Sequence, residues 1–76
     1  MNLSMYKYIA VEQQLEHPDI GTYTSYGIKA IKENKEIAFV SDVSVDKAFV
    51  ENIVRRCTDL QLAPIHIFDV VEDVIQ

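Results

Sequence analysis

The chain has 76 residues, 49% of them apolar, with one cysteine and a net charge of −5. This length fits one small domain over residues 1–76, and the apolar content is too high for a disordered chain. The seven basic residues form no cluster that could bind nucleic acid directly, and no apolar run approaches the ~18 residues that span a membrane. A single cysteine permits no internal disulfide, so we expect a reducing, cytoplasmic setting.

Three stretches before residue 45 have the composition of β-strands: residues 4–15, 22–32 and 37–43. Short connections join them, the first with Pro and Gly and the second at residues 33–35, so we expect an antiparallel meander. Gly27 interrupts the second strand, which predicts a bulge or a close approach of another backbone. The first strand is predicted to have two partly apolar faces, one with Met5, Ile9, Val11 and Leu15 and the other with Tyr6, Tyr8 and Ala10.

The next segment has helical periodicity and is predicted to be an amphipathic helix of about four turns. Ser44 is expected to cap it, with Asp46 in the first turn, where the helix dipole favours a carboxylate. Its apolar side chains fall on one face, which comprises Phe49, Val50, Ile53, Val54, Cys57 and Leu60. On the opposite face, residues of alternating charge recur every four positions, as on a solvated helix surface.

A second helix is predicted over residues 65–75, directly after Ala63 and Pro64, although the β-branched content leaves a C-terminal strand as an alternative. The predicted fold is therefore α+β: a three-stranded antiparallel β-meander followed by two α-helices packed on one face (β-β-β-α-α). The predicted core comprises Ile9, Val11, Tyr26, Ile28, Ile37, Phe39, Phe49, Ile53, Cys57, Leu60, Phe68, Val71 and Ile75.

The second half of the chain resembles a known family. The run SDVSVDKAFVENIVRRCTDLQLAPIHIFDVVEDVI, preceded by YGIKA and KEIAF, is similar to small uncharacterised bacterial proteins of clostridial type. These proteins are classed only as a domain of unknown function. The resemblance covers roughly residues 26–75 and departs from the expected pattern at Ala63, where a serine would cap the next helix. It implies a bacterial lineage and no activity.

His66, Asp69 and Asp73 share one face of the predicted second helix. They could form part of a metal site or a histidine poised by carboxylates, but a solvated polar face explains them more simply. The only other histidine has no catalytic motif around it, and the two glycines stand too far apart for a phosphate loop. We therefore expect no catalytic residues, no metal site, no cofactor and no enzymatic activity.

Two helices can cover only one face of a three-stranded sheet, so the other face is expected to bind a partner. With Ile9, Ile28 and Phe39 placed against the helices, the opposite parity contains the candidate interaction residues Tyr6, Tyr8, Tyr23, Ala38 and Val40. The predicted function is a non-catalytic protein-interaction or regulatory module that forms a homodimer or binds an unidentified protein. The alternative is an acidic, phage-related inhibitor that occupies a basic nucleic-acid-binding site on an enzyme.

Overall fold

The computed structural model describes residues 5–67 and Asp69. The three strands form one antiparallel sheet in the order β1-β2-β3, and the helix packs on one of its faces. The elements are β1 (Lys7–His17), β2 (Gly21–Lys32), β3 (Lys35–Ser44), α1 (Lys47–Leu60) and a short 3₁₀ helix (Pro64–His66). The predicted meander and the α+β class are confirmed.

The predicted second helix is the error in the fold. The described residues hold three strands and one α-helix, giving β-β-β-α. After α1 the chain leaves helical geometry at Gln61, which has φ 50°, and Ala63 is extended before Pro64. The residue before a proline avoids the α region, so the helix is interrupted at Ala63 and a 3₁₀ turn follows it. Phe68 and residues 70–76 lie outside the described residues, and with them the predicted core residues Val71 and Ile75.

A two-residue turn fixes the register at the start of the β2–β3 hairpin. Glu33 and Asn34 both have positive φ, at 54° and 65°. Two consecutive residues of this kind match the right-handed twist of a hairpin, and asparagine tolerates the conformation well. Lys32 and Lys35 flank the turn and lie opposite each other.

The prediction for Gly27 is confirmed, because β3 bulges beside it. Between the pairs Tyr26–Ser44 and Ile28–Val40, β2 advances two residues and β3 advances four. A Cβ added at Gly27 would lie 2.5 Å from the Val40 carbonyl oxygen, which no real side chain tolerates. Only glycine therefore fits where the two backbones come so close.

The start of α1 differs from the prediction by one capping residue. Asp46 is the N-cap, and its Oδ1 accepts a hydrogen bond from the Phe49 N–H at 3.3 Å. The predicted cap, Ser44, lies two residues earlier, where its hydroxyl accepts a hydrogen bond from the Asp46 N–H at 3.1 Å. The two side chains together provide acceptors for two backbone N–H groups where β3 leads into the helix.

The helix covers the predicted face of β2 but the opposite parity of β1 and β3. Beneath α1 lie Tyr8, Ile28 and Ala30, with Ala10 and Ala38 packed against them. Three alanines on this side allow the helix to approach the sheet closely, which larger side chains would prevent. The buried core comprises Tyr8, Ile28, Ala30, Val43, Val50, Ile53, Cys57 and Ile67.

Five predicted core residues consequently lie elsewhere. Leu60 is 75% exposed on α1, at the edge of its apolar stripe. The remaining four lie on β1 and β3 with the parity that faces away from the helix, and they are Ile9, Val11, Ile37 and Phe39. Ile28, Ile53 and Cys57 are core residues as predicted, and Tyr26 and Phe49 pack against them.

The sheet is longer than the helix that covers it. Pairing between β2 and β3 ends at Tyr26, whereas β1 and β2 pair as far as His17 and Gly21. Residues 13–25 therefore form a two-stranded extension, which we call the hairpin arm. It contributes to a molecule whose longest extent is 52 Å.

Candidate interaction face

The sheet face turned away from α1 carries a row of apolar side chains on all three strands. Strand alternation places them there: in the covered part of the sheet their neighbours lie under the helix, and Leu15 and Tyr23 continue the same parity into the hairpin arm. We call this surface the open face; its apolar members are Ile9, Val11, Leu15, Tyr23, Ile31, Ile37 and Phe39. Ile37 is 46% and Phe39 38% exposed, which is unusual for side chains of this size on a strand.

The centre of the open face is flat because Gly27 has no side chain. Gln13 and Phe39 close over it from the two flanking strands: the Gln13 Oε1 and the Phe39 Cε1 lie 2.8 and 3.3 Å from where a Cβ would stand. Lys29 and Glu36 add an ion pair at 3.4 Å. Lys29 lies on the central strand between Ile9 and Phe39, so this ion pair divides the apolar surface.

A polar cluster supports one end of this face at the β3 bulge. Asp42 has φ 53°, and its carboxylate accepts hydrogen bonds from the Tyr23 hydroxyl at 2.8 Å and the Ser25 hydroxyl at 2.5 Å. These two donors lower the pKa of Asp42, and the carboxylate in turn raises the pKa of Tyr23. Ser25 is fully buried, and its oxygen also lies 3.1 Å from the Ser44 carbonyl.

Gln13 ties this cluster to β1. Its Oε1 accepts from the Asp42 N–H at 2.9 Å, and its Nε2 donates to the Ser41 hydroxyl at 3.0 Å. The side chain thus reaches across β2 to β3, which is possible because β2 carries Gly27 at that point. The cluster's hydrogen bonds link β1 to the bulge and account for the altered pKa values of Asp42 and Tyr23.

Of the five predicted interaction residues, only Tyr23 lies on the open face. Ala38 and Val40 pack against the core under α1, and so do Tyr6 and Tyr8. On β1 and β3, the side predicted to bind a partner is therefore the one that the helix covers. Four open-face residues were predicted to lie in the core: Ile9, Val11, Ile37 and Phe39.

Tyr6 and Tyr8 instead fasten the end of α1 to β1. The Tyr8 hydroxyl donates to the Leu62 carbonyl, and burial, with Cys57 and Tyr6 nearby, raises the pKa of Tyr8 to about 12. The Gln61 carboxamide accepts from the Tyr6 N–H at 2.8 Å and donates to the Tyr6 carbonyl at 3.0 Å. Lys32 places its Nζ 5.1 Å from the centre of the Tyr6 ring, a cation–π contact.

The predicted polar face is only partly within the described residues. His66 and Asp69 are both exposed, and Asp73 lies outside the described part of the chain. Among residues 5–67 and Asp69, no three histidine, cysteine or acidic side chains are placed so that they could hold a metal ion. Cys57 is buried, and burial raises the pKa of its thiol, which disfavours the reactive thiolate.

A shallow groove of about 400 Å³ lies alongside α1. One helix supplies its whole lining, which comprises Phe49, Asn52, Ile53, Arg55, Arg56 and Asp59. A groove walled by a single element is open to solvent and gives no enclosed site for a small ligand. In the described part of the chain, no helix is both long and apolar enough to cross a membrane.

Comparison with known proteins gives the chain a family. Its whole length, residues 1–76, matches a family of unknown function, DUF6514. The chain belongs to this family. The resemblance to a domain of unknown function is thereby confirmed and extends beyond residues 26–75 to the N-terminal strand. No curated protein and no solved structure matches the chain.

Proposed function

We propose that this DUF6514 protein is a non-catalytic interaction module whose open face binds another protein. The observation that carries the proposal is the open face itself: seven large apolar side chains on three strands, which no described element covers. Exposed apolar surfaces on small proteins mark interaction sites. Phe39 and Ile37 are its most accessible anchors.

The dimensions of the open face favour a partner of modest contact area. Three strands of about ten residues give a surface of roughly 14 by 33 Å, from the usual strand spacing and rise. This area of about 450 Å² is below the ~800 Å² that each partner buries in a standard interface. A transient, regulatory contact fits such a surface better than a permanent one.

The non-catalytic part of the proposal is supported by how the altered pKa values arise. Tyr8 is shifted by burial and donates to a backbone carbonyl, and Asp42 is shifted by two hydroxyl donors that hold a bulge. Each of these groups is occupied by a structural hydrogen bond, so none is left as a free acid, base or nucleophile.

We also propose that the protein acts in the bacterial cytoplasm. The resemblance to proteins of clostridial type supports the lineage, and the single buried thiol at Cys57 supports a reducing compartment. The net charge of −5 disfavours direct nucleic-acid binding, because phosphates repel an acidic surface.

A second candidate function is an acidic inhibitor that fills a basic nucleic-acid site. Exposed carboxylates along the hairpin arm and the adjoining part of β1 favour it, since Glu12, Glu16 and Asp19 all face solvent. An electrostatic inhibitor should lose its target steeply as salt rises, whereas binding through an apolar face should change little. The salt dependence therefore separates the two functions.

The test compares two substitutions of exposed apolar residues. Wild type, Phe39→Lys and Leu60→Lys are each immobilised on a support and incubated with native lysate at low and at high salt. The bound proteins are then identified by mass spectrometry. Phe39 is on the open face and Leu60, though more exposed, is on α1. We expect Phe39→Lys alone to lose the partner, at both salt concentrations.

Two outcomes would contradict the proposed function. A partner that both variants retain does not use the open face. A partner released by salt from wild type and from both variants alike is held by charge, which favours the inhibitor. Circular dichroism of each variant shows whether the fold is intact before the comparison is made.

A further inference from the structure

The two edges of the sheet differ in regularity. β1 pairs with β2 without a break over eleven residues, from Lys7 to His17. β3, the opposite edge, has two register shifts, and its bulge contains a residue with positive φ at Asp42. Bulges on an edge strand hinder pairing with another strand, whereas a long regular edge invites it. Only the β1 edge is suited to accept a further strand.

The direction of the β1 backbone groups follows from the β2–β3 turn. Lys32 and Lys35 flank a two-residue turn, so their backbone groups bond each other. The groups of Ile31 therefore point the other way, towards its partner Lys7 on β1. Because the direction alternates along a strand, the N–H and C=O of Tyr6 point away from the sheet.

Gln61 confirms this direction and shows that the edge accepts a peptide-like partner. Its carboxamide bonds both backbone groups of Tyr6, at 2.8 and 3.0 Å, as a neighbouring strand would. Beyond Tyr6 the outward N–H and C=O groups make no hydrogen bond within the described part of the chain. They belong to Tyr8, Ala10, Glu12, Gln14 and Glu16.

We propose that two copies of the chain pair through their β1 edges, antiparallel about a two-fold axis at Val11, to form a continuous six-stranded sheet. Val11 then lies opposite Val11 of the second copy, and Ala10 lies opposite Glu12. In this register no charged residue faces a like charge. A register one residue further along would place two Glu12 carboxylates opposite each other, which is unfavourable.

A second copy fits this edge because β1 is compatible with itself. A two-fold antiparallel pair places side chains of equal parity opposite each other, so both open faces lie on the same side of the joined sheet. Such pairing also supplies stability that a 76-residue core lacks. It uses the β1 edge, not the open face, and so does not depend on the proposed function.

The first experiment uses two proline variants, each of which removes one outward-pointing backbone N–H, from β1 in one variant and from β2 in the other. Glu12→Pro deletes an N–H that points away from β2, which an edge strand tolerates. The control is Thr24→Pro, also exposed, whose N–H points away from β1 on the opposite side. Mass in solution is measured by light scattering across micromolar concentrations, after circular dichroism has verified the fold.

We expect wild type and Thr24→Pro to reach twice the 8.7 kDa chain mass, while Glu12→Pro dissociates. Its dissociation constant should rise by about tenfold, since two hydrogen bonds are lost per dimer. A monomeric wild type, an unchanged Glu12→Pro, or equal weakening in both variants would overturn the proposal.

A second measurement stands even if the proline variants do not fold. Val11→Cys should form a disulfide between copies on mild oxidation, because non-hydrogen-bonded cross-strand pairs have Cα atoms ~4.5 Å apart. The control Ile9→Cys, on the same face, would lie two residues from the axis in each copy and should not cross-link. Equal cross-linking of the two variants, or none, would refute the β1 seam.

The edge and face proposals fail separately in these experiments. If only the edge proposal is wrong, Val11→Cys does not cross-link while Phe39→Lys still loses its partner. If only the face proposal is wrong, Phe39→Lys binds as wild type does while Glu12→Pro still dissociates.

Discussion

The helix-covered end of the sheet and the hairpin arm are built from the same two strands and differ in what lies over them. At the covered end, α1 buries Tyr8, Ile28 and Ala30. In the arm, residues 13–25, Ser25 is the single buried residue. A two-stranded ribbon is marginally stable alone, so the arm depends on the covered end and on the Asp42 cluster at its base. The stability of the molecule is therefore concentrated at one end.

The largest effect should come from Ile53→Ala at the covered end. Ile53 is 3% exposed on the buried side of α1, and its truncation should cost about 2–5 kcal/mol. The matched change in the arm, Leu15→Ala, removes a half-buried side chain and should cost less than about 1 kcal/mol. Urea unfolding of both variants measures the difference. Equal losses would mean that the arm is as firmly packed as the core.

Gly27→Ala tests the boundary between the two regions. The new methyl group would collide with the Val40 carbonyl and the Gln13 side chain, so the strands must separate locally. We expect a cost of about 1–3 kcal/mol, as for other overpacked sites. Gly21→Ala is a useful comparison, because its positive φ strains the backbone but no atom lies within 4 Å of the added group. Thermal melts of the two variants separate collision from backbone strain.

Tyr8→Phe removes one hydrogen bond from the covered end. The Leu62 carbonyl loses its donor, which should cost about 1–2 kcal/mol. The pKa of Tyr8 is raised to about 12, so its contribution is complete below the unfolded value and disappears as pH rises through the folded one. Wild type should thus lose more stability than Tyr8→Phe between about pH 10 and 12. If the stability of wild type and of Tyr8→Phe fell in parallel over this pH range, the Tyr8 hydroxyl would not contribute to stability.

The smallest effect should appear at the base of the arm in acid. The pKa of Asp42 is lowered by the Ser25 and Tyr23 hydroxyls, so its contribution is present above its unfolded pKa and is lost as pH falls. Wild type should therefore lose stability below about pH 4 to a greater extent than Asp42→Asn. Chemical unfolding at a series of acidic pH values measures this. Identical acid curves would exclude Asp42 as a support of the bulge.

The sequence predicted the elements whose signals are local. The 3.6-residue period from Phe49 onwards gave α1, and turn residues gave the two hairpins. The cap was placed at Ser44 instead of Asp46 because both are good caps and only the backbone angles decide. The second helix was predicted from the apolar periodicity after Pro64. The left-handed turn at Gln61 could not be foreseen, because glutamine has no special preference for positive φ.

The sheet faces could not be assigned because the deciding contacts are long-range. Both parities of β1 are apolar, so alternation alone gave two equivalent solutions. Two features decide which face of β1 lies against the helix. The Leu62 carbonyl accepts a hydrogen bond from the Tyr8 hydroxyl, 54 residues away, and the alanines leave room for the helix. The prediction reversed the parity of β1 and β3 but not that of β2, and the reversal misplaced the four candidate interaction residues on those segments.

The links between β1 and the end of α1 also affect the order of folding. The β2–β3 hairpin closes through two residues, whereas Tyr6 and Gln61 are 55 positions apart. Loops of that length close slowly and at a high entropic cost, so we expect local hairpins to form before the Tyr6–Gln61 contact. Changes at Gln61 should then accelerate unfolding and leave the folding rate nearly constant. These contacts would form late in folding, and they would determine how long the native state persists before it unfolds.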